Sequence, residues 1–389
     1  MNGFLFVLWL AISCQNPSPV HAAGANSDIA LKKHCPPGFE LTENNQCRFR
    51  SQYEAYSSIG SKGVGGLQTG LPSIRDGFSP QQIDLGRYLF FDPILSRNNS
   101  LSCASCHNPN KGFSDGKRLA EGMSDQELQR NSPTLWNSGF LKSFNWDAAH
   151  QSFEDQMSGP LYNPQEMNQT PEILVEKLQT ISSYRQLFRS AFPESLPGIS
   201  EANIKQALAA FQSSLVSLNS RYDRYVHGYH AALNKQEIEG LNVFRSFVAR
   251  CAECHTPPLF TNQQVAVIGV SDPVEDEGAA ITLDLPKLTG GFKVPTLRNI
   301  AKSAPYMHHG SKKDLSSVLQ FYNKGRGNEL AGRKLHLHWH ITSPRLQEKE
   351  LVALEAFLNA LTDESFKPQT PAQLPSGLIL TSESLEPQP

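Results

Sequence analysis

The sequence predicts a mainly α-helical protein built from two related domains packed together. Its 389 residues are enough for two domains of ordinary size. A C-x-x-C-H pentapeptide occurs at residues 103–107 and again at 251–255, and each copy follows a segment with apolar residues at helical spacing. The chain also has 27 glycines and 26 prolines, which predict many loops between the helices. We expect one domain over residues 75–232 and the second over 233–365.

Helical patterns account for much of the first domain. The first pattern begins at Pro80 and ends before Pro93, because a proline disfavours helical backbone in the residue that precedes it. Another helix starts near Phe153, and Gly159-Pro160 is expected to break it. Residues 171–230 are mostly helical, and four residues at helical spacing predict a core face: Ile204, Leu208, Phe211 and Leu215.

The second domain opens at Asn234, which forms a capping-box pattern with Glu237. The helix that follows has an apolar face that leads towards the second pentapeptide: Ile238, Leu241, Phe244 and Phe247. Residues 272–291 are acidic and glycine-rich and predict a loop. Helices are predicted over 315–322 and about 346–361. Residues 335–341 alternate strictly and predict a strand with three histidines on one face: His336, His338 and His340.

The pentapeptides carry the most specific chemistry. Cys103 and Cys106 have the spacing that forms two thioethers to one porphyrin edge, and His107 then reaches the iron as proximal ligand. The second copy repeats these three residues: Cys251, Cys254 and His255. A four-cysteine zinc cluster is the alternative, but it needs no histidine after each pair and uses pairs much closer in sequence. The sequence therefore predicts two covalently attached haem c groups.

The N-terminus predicts a secretory signal over residues 1–22, and hence a periplasmic or otherwise exported protein. The apolar run from Phe4 to Ser13 is too short to cross a bilayer, and Val20-His21-Ala22 fits a cleavage site, although no Lys or Arg precedes the run. A lipoprotein cysteine at Cys14 is the alternative, and the residues before it match that pattern poorly.

Export also accounts for the seven cysteines. Cys14 would leave with the signal and four cysteines would attach haem, so Cys35 and Cys47 remain within an N-terminal extension over residues 23–74. In an oxidising compartment these two are expected to form a disulfide, the alternative being two reduced thiols. The Pro- and Ser-rich segment 366–389 is expected to be a flexible tail.

The charge balance excludes some classes of partner. The chain has 35 basic and 37 acidic residues without a strongly basic face in its sequence. We therefore expect no nucleic-acid partner and no attraction to an anionic membrane. The shortness of the N-terminal apolar run predicts no membrane span.

Five motifs together are similar to those of one family: Leu89-Phe-Phe-Asp-Pro93, Ser102-Cys-Ala-Ser-Cys-His107, Arg130-Asn-Ser-Pro-Thr134, Lys293-Val-Pro-Thr-Leu-Arg-Asn299 and Ala304-Pro-Tyr-Met-His308. On these motifs the chain resembles the bacterial dihaem cytochrome c peroxidase/MauG superfamily over about residues 75–365. The resemblance implies two cytochrome-c-like haem domains and an enzyme that reacts with hydrogen peroxide.

The resemblance also assigns the pocket above the first haem. It points to Gln156 and Glu166 in that pocket, with Pro160 between them. Cleavage of the O–O bond needs a base that moves a proton from one peroxide oxygen to the other, which suits Glu166, while Gln156 orients the peroxide. The alternative from the residues alone is that Glu166 is a solvated loop charge and Gln156 a helix-surface amide.

Two further assignments rest on the resemblance. Trp146 resembles the tryptophan that lies between the haems and couples them, the alternative being an ordinary core aromatic. Asn131, with the carbonyls of Ser303 and Pro305, resembles the family's calcium site between the domains, and oxygen ligands suit that ion.

The second haem's other axial ligand separates the branches of the family. Peroxidases that accept electrons from small proteins use Met there, whereas the MauG-like branch uses Tyr, which here is Tyr322. Met307 lies in a motif that both branches share, and His308 is the second candidate ligand. The alternative is that Tyr322 only fills the apolar face of its helix. We expect Tyr322 to bind the second iron, as in the MauG-like branch.

The chain also departs from the family. After the bridging Trp the family usually has Asp-Gly-Arg, where this chain has Asp147-Ala-Ala-His150. MauG itself has a surface Trp two residues before its second haem cysteine pair, where this chain has Ala249, so its route to a partner must differ. The histidines of residues 336–340 have no counterpart in the resemblance, and we expect a solvated edge strand there, with a copper or zinc site as the alternative.

The resulting interpretation is a periplasmic dihaem enzyme that uses hydrogen peroxide to form a high-valent dihaem state and oxidises Trp or Tyr of a partner protein. The MauG-like branch includes enzymes whose partners bind copper. The first alternative is peroxide reduction to water with a small cytochrome or cupredoxin as electron donor. The second is a plain electron-transfer cytochrome, which leaves Glu166 and Gln156 without a role.

Overall fold

The structure is a computed structural model that describes residues 29–53, 70–123, 126–195, 198–325, 327–330 and 332–381. The predicted signal peptide and Cys14 lie outside the described residues. A short hairpin, β1 (Phe39–Leu41) and β2 (Cys47–Phe49), begins the described chain, and Cys35 and Cys47 are disulfide-bonded beside it. Within the described residues no helix is both long and apolar enough to cross a membrane.

Helices dominate both domains, in agreement with the predicted fold class. The first six run from α1 to α6: Pro80–Phe91, Cys103–Cys106, Phe153–Tyr162, Pro171–Thr180, Ser182–Ala191 and Glu201–Ser213. The next three are α7 to α9: Arg221–Val226, Lys235–Phe244 and Cys251–Cys254. The remaining three are α10 to α12: Ala279–Thr282, Leu315–Lys324 and Glu348–Asn359. A second hairpin pairs β3 (Val265–Val267) with β4 (Gly291–Lys293).

Each domain is built around one crossing of two helices, and the two crossings match. A Cβ added at Gly86 of α1 would lie 1.9 Å from the backbone oxygen of Ala207 on α6. A Cβ added at Gly240 of α8 would lie at the same distance from the backbone oxygen of Ala353 on α12. Both glycines therefore allow a backbone approach that no larger residue permits. The repeated crossing supports two related domains.

The boundary between the two hydrophobic cores lies before residue 233 in the sequence. The first core is formed by helices α1 and α3 to α6, and the predicted stripe on α6 is buried within it. The second core includes Leu218, Tyr222 and Val226, which precede the predicted boundary. Helix α7 therefore packs with the second domain.

Several local predictions were wrong. Helix α3 continues to Tyr162 past Pro160, because a proline in the last turn forfeits only one helical hydrogen bond. Helix α8 ends at Phe244, so Phe247 is 92% exposed and does not extend the apolar face. Residues 335–341 form no strand but an irregular segment with a turn at Trp339 and His340.

The C-terminal segment also differs from its prediction. Residues 366–381 lie against the first domain, with Leu374 buried in its core. Ser376 donates to the buried carboxylate of Asp92 at 2.8 Å, and Arg87 donates to the backbone oxygen of Gln369 at 3.1 Å. The part of the tail that the structure describes is thus a packed strap, although its composition predicted flexibility.

Candidate haem sites and active site

The four pentapeptide cysteines are unpaired in the described protein. Each pair lies on one short helix, α2 or α9, which brings both thiols to one side. Burial raises the pKa of Cys103, Cys106 and Cys251 to about 12, so these thiols have no thiolate character. The environment suits sulfur atoms that carry an apolar substituent, as thioether-bound haem requires, and does not suit a nucleophile.

The two pentapeptide histidines have matching surroundings. His107 Nδ1 lies 3.0 Å from the backbone oxygen of Phe113, and His255 Nδ1 lies 3.1 Å from those of Phe260 and Pro295. A carbonyl accepts only, so Nδ1 carries the proton and Nε2 keeps its lone pair. Burial lowers the pKa of both imidazoles, which keeps them neutral. Both histidines therefore fit the role of proximal iron ligand.

One cavity extends from the second haem motif to the boundary with the first domain. Its lining includes all the haem-binding residues of that motif and the predicted axial ligand on α11: Cys251, Cys254, His255 and Tyr322. Burial, and then the nearby thiols of Cys254 and Cys251, raise the pKa of Tyr322. These thiols are the haem attachment points, so the Tyr322 phenol lies in the space that the second haem would occupy. An iron in that space would supply the positive charge that a phenolate needs.

The other two ligand candidates differ in their surroundings. Met307 also lines the cavity. His308 Nε2 lies 3.0 Å from Asp272 Oδ2, and its ring stacks on Phe292 with 3.7 Å between centroids. Burial lowers the pKa of His308 to about 4. The contacts of His308 with Asp272 and Phe292 make it a poorer candidate than Tyr322.

A partly buried lysine adds a further feature to this cavity. Lys293 lies at the end of β4 and lines the cavity, and burial lowers its pKa to about 8. The described residues supply no carboxylate partner for its Nζ, although a buried ammonium normally has one. A haem propionate would provide the missing anion. The sequence motif that begins with Lys293 was recognised, but the role of its first residue was not, because burial of the amine is visible only in the fold.

Trp146 connects the first domain to this cavity. Its Nε1–H donates to the backbone oxygen of Asn131 at 2.8 Å, and its own carbonyl accepts from the backbone of Lys293 at 2.7 Å. The indole lines the same cavity as the second haem motif. The position at the boundary of the two domains fits the predicted coupling role.

The residues that follow Trp146 carry out a different task from the family's arginine. Asp147 pairs with Arg130 at 2.7 Å, and Arg130 also pairs with Asp276 of the second domain at 2.7 Å. His150 turns away from the cavity towards Asp155, with 2.7 Å between Nδ1 and Oδ2. Arg130 thus joins the two domains beside the cavity, a role that sequence spacing did not reveal.

The distal residues of the first haem lie on α3 and the loop that follows it. That loop folds back because the backbone N–H of Met167 donates to Pro160 and that of Glu166 donates to Asn163, at 3.1 and 3.0 Å. Burial raises the pKa of Glu166, and the Asn163 amide donates to its Oε1 at 2.9 Å. Glu166 is also close enough to Cys106 to raise the pKa of that thiol. Glu166 is therefore partly buried and within electrostatic range of the first haem attachment site, which favours the distal role over a solvated loop charge.

Two further sites were predicted from the family resemblance, the amide of Gln156 and the calcium site. Gln156 is half-buried on α3, one turn before Pro160. Asn131, Ser303 and Pro305 all line the cavity that Trp146 enters, and the side-chain Nδ2 of Asn131 donates to the Lys117 carbonyl at 2.8 Å. This contact leaves Asn131 Oδ1, the atom a calcium ion would bind, as the free end of the amide.

Comparisons with known proteins point to one family. The family model of di-haem cytochrome c peroxidases matches residues 80–231. The methylamine utilization protein MauG of Methylorubrum extorquens is 35% identical over 287 residues, covering 74% of this chain and 79% of that protein. The cytochrome c551 peroxidase of Pseudomonas aeruginosa is 33% identical, covering 66% and 75%.

A solved structure points to the same group. A MauG-like protein associated with microbial copper homeostasis superposes with a TM-score of 0.68 at 32% identity, covering 74% of this chain and 91% of that one. With two haem-binding motifs in matching domains, the chain belongs to the dihaem cytochrome c peroxidase/MauG superfamily, whose members are haem-dependent oxidoreductases that use peroxide.

Proposed function

We propose that this enzyme uses hydrogen peroxide to oxidise Trp or Tyr side chains of a partner protein, with the oxidising equivalents shared between two haems. The observation that carries the proposal is Tyr322, which lines the same cavity as the second pair of haem-binding thiols. A phenolate is a hard anionic ligand, and it favours oxidised iron over reduced iron. A second haem with this ligand suits storage of oxidising equivalents better than acceptance of electrons from a small cytochrome.

The protein's own groups prepare the first site for peroxide. The haem, when bound, supplies the iron that activates peroxide and stores oxidising equivalents. Glu166 accepts the proton of the iron-facing peroxide oxygen and delivers it to the distal oxygen, which leaves as water. Gln156 offers an amide to orient the peroxide, and the Asn163 amide holds the Glu166 carboxylate in place. The neutral His107 is held by its Nδ1 contact with the Phe113 carbonyl, so its Nε2 would be available to bind the iron.

Trp146 is proposed to couple the sites. Its indole is held by the Asn131 carbonyl, and its backbone holds β4, the strand that ends at Lys293. A calcium ion on Asn131, Ser303 and Pro305 would fix the same junction. We propose that calcium acts on the coupling between domains rather than on peroxide itself.

The partner is proposed to be a periplasmic protein with an exposed Trp or Tyr. The MauG-like protein that superposes on this chain is associated with microbial copper homeostasis, which supports a copper-binding partner here. A small cytochrome or cupredoxin donor is the second candidate. It is favoured by one observation, that Met307 lines the second haem cavity and offers a thioether for the iron.

The test is the near-infrared absorption of the diferric holoprotein after one equivalent of peroxide, without reductant. We expect a new band from charge shared between two oxidised haems. The Tyr322→Met variant is expected to lose that band and to gain turnover with a reduced small cytochrome c.

The matched control is Tyr306→Phe. Tyr306 lines the same cavity, but its hydroxyl donates to the Ile300 carbonyl at 2.9 Å. The control should keep the band. A wild-type protein that shows no band and turns over rapidly with the reduced cytochrome would refute the proposal in favour of the second candidate.

A further inference from the structure

We infer that Trp339 is the surface relay through which electrons from the partner protein reach the second haem. The inference rests on the proposed function, because it names the exit of the oxidising equivalents on the protein surface. It concerns the irregular segment around residues 336–341, which lies against the second haem motif. That segment was expected to be a solvated strand.

Trp339 combines exposure with close packing. Its side chain is 64% exposed, an unusual state for so large an aromatic ring. One edge nevertheless packs on the His340 ring, with 3.5 Å between centroids. The Arg250 guanidinium lies over the indole at 4.7 Å from the ring centroid. The indole is thus held in place while most of its surface faces solvent.

His340 connects this indole to the haem attachment site. Its Nε2 lies 2.6 Å from a carboxylate oxygen of Glu253, the residue between the two cysteines of the second motif. A side-chain nitrogen of His338, one of His340 and Cys254 Sγ all lie within 4.8 Å of one another. His340 also lines the haem cavity. Since Cys254 Sγ would become part of the covalent haem edge, the path from haem to surface consists of steps no longer than 4.8 Å.

The chemistry of an indole suits this position. Trp and Tyr are the side chains that a strongly oxidised haem can oxidise by one electron. In each step the Trp339 indole loses an electron to the haem, and the adjacent Arg250 cation disfavours a positively charged ring, so the indole proton leaves to water. The partner's Trp or Tyr then returns an electron to Trp339 as water returns the proton. Two such rounds, with one peroxide, two electrons and two protons, give two waters and a partner oxidised by two electrons.

A metal site is the competing interpretation of the same cluster. The sulfur of a haem-bound cysteine is a neutral thioether, so it lacks the thiolate charge with which a cysteine binds zinc. His336 is exposed and lies outside the group that could hold an ion. The three-histidine face expected from the sequence therefore does not form, and the remaining pair lies between the haem edge and Trp339.

The test uses the holoprotein, treated with one equivalent of peroxide in the absence of any reductant. In the wild type we expect peptide mass spectrometry to find oxidised Trp339, because the indole is left without a partner to reduce it. The Glu166→Gln variant should react more slowly with peroxide, so its yield of oxidised Trp339 should fall in proportion to that rate. Tyr229 is 69% exposed and outside the path, so it should remain unmodified.

The second measurement is the lifetime of the oxidised state, followed by absorption. Trp339→Phe should lengthen it by about tenfold, since the outlet is closed, whereas Tyr229→Phe should leave it unchanged. Unmodified Trp339 together with an unchanged lifetime in Trp339→Phe would overturn the inference. Failure of the proposed function is a separate result, namely that the wild type shows no shared near-infrared band. In that case the mass measurement still decides whether Trp339 takes part in oxidation.

Discussion

The role of Glu166 gives the sharpest test of the first haem site. Glu166→Gln replaces a carboxylate by an amide of the same shape. The Asn163 amide now donates to Oε1 at 2.9 Å, and a Gln oxygen can accept the same bond, so the loop should keep its conformation. What the variant loses is the ability to take up a proton. The change therefore separates proton transfer from the position of the side chain.

The expected loss of reaction rate follows from the loss of proton transfer by Glu166. A positioned general base is worth about 10²–10⁴ in rate, which is about 3–5 kcal/mol of transition-state free energy. The base acts only when ionised, and burial raises the pKa of Glu166 above the ordinary range of a glutamate. The wild-type rate with peroxide should therefore fall as the pH falls through this raised pKa. The variant should be slow at every pH and should lack that decline.

The assay is stopped-flow absorption of the diferric protein mixed with peroxide, repeated over a range of pH. Asp115 needs a control, because burial raises its pKa to about 6 and its charge also acts on Cys106. Asp115→Asn should keep the acid decline if Glu166 causes it. Glu172→Gln changes an exposed carboxylate on α4 and should behave as the wild type. Reaction of Glu166→Gln with peroxide at the wild-type rate would refute a base role for this residue.

Three further predictions concern the framework and the second haem. Gly240→Ala places a methyl group against the Ala353 carbonyl and should lower the free energy of unfolding by about 1–3 kcal/mol, measured by denaturant titration. Arg298→Met leaves buried Asp223 without its bidentate partner, at a cost of about 3–5 kcal/mol. Burial alone would raise the pKa of Asp223, but Arg298 holds that pKa below its usual value. In the wild type the stabilisation from this pair is therefore present at neutral pH and is lost as the pH falls through the lowered pKa of Asp223. Lys293→Gln removes a positive charge from the second haem cavity and should lower that haem's reduction potential in a spectroelectrochemical titration, and an unchanged potential would exclude a propionate contact.

The sequence predicted best those features whose signal is local. The haem motifs consist of adjacent residues, and the capping box at Asn234 is a contact between neighbours in the chain, which the structure confirms. The stripe on α6 was predicted because a helix that packs on a core repeats its apolar residues at a fixed spacing. The family resemblance added the loop after α3, where spacing alone would not place Glu166 beside Cys106.

What the sequence did not predict depends on contacts between distant segments. Strict alternation over residues 335–341 predicts a strand only if another strand can pair along it. Here the His338 N–H donates to the Val267 carbonyl of β3 at 2.8 Å, but the segment does not form a strand. Composition predicted a flexible tail, but Leu374 finds a buried position on the first domain. The role of Arg130 depends on Asp276, which is more than a hundred residues away in the sequence. The role of Lys293 depends on the burial of its amine by the fold.

The second haem site has an arrangement that favours exchange with another protein. The first haem motif lies behind α3, its loop and the C-terminal strap, where Ser105 of that motif contacts Thr381. The second haem motif is instead flanked by exposed side chains, Phe247 at 92% and Trp339 at 64%. A protein substrate can approach only an exposed edge, whereas a small oxidant such as peroxide needs much less open surface. If the proposed function holds, the two sites would divide the reaction by the size of the molecules they admit, and a coupling residue such as Trp146 would be needed because the oxidant and the protein substrate would meet different haems.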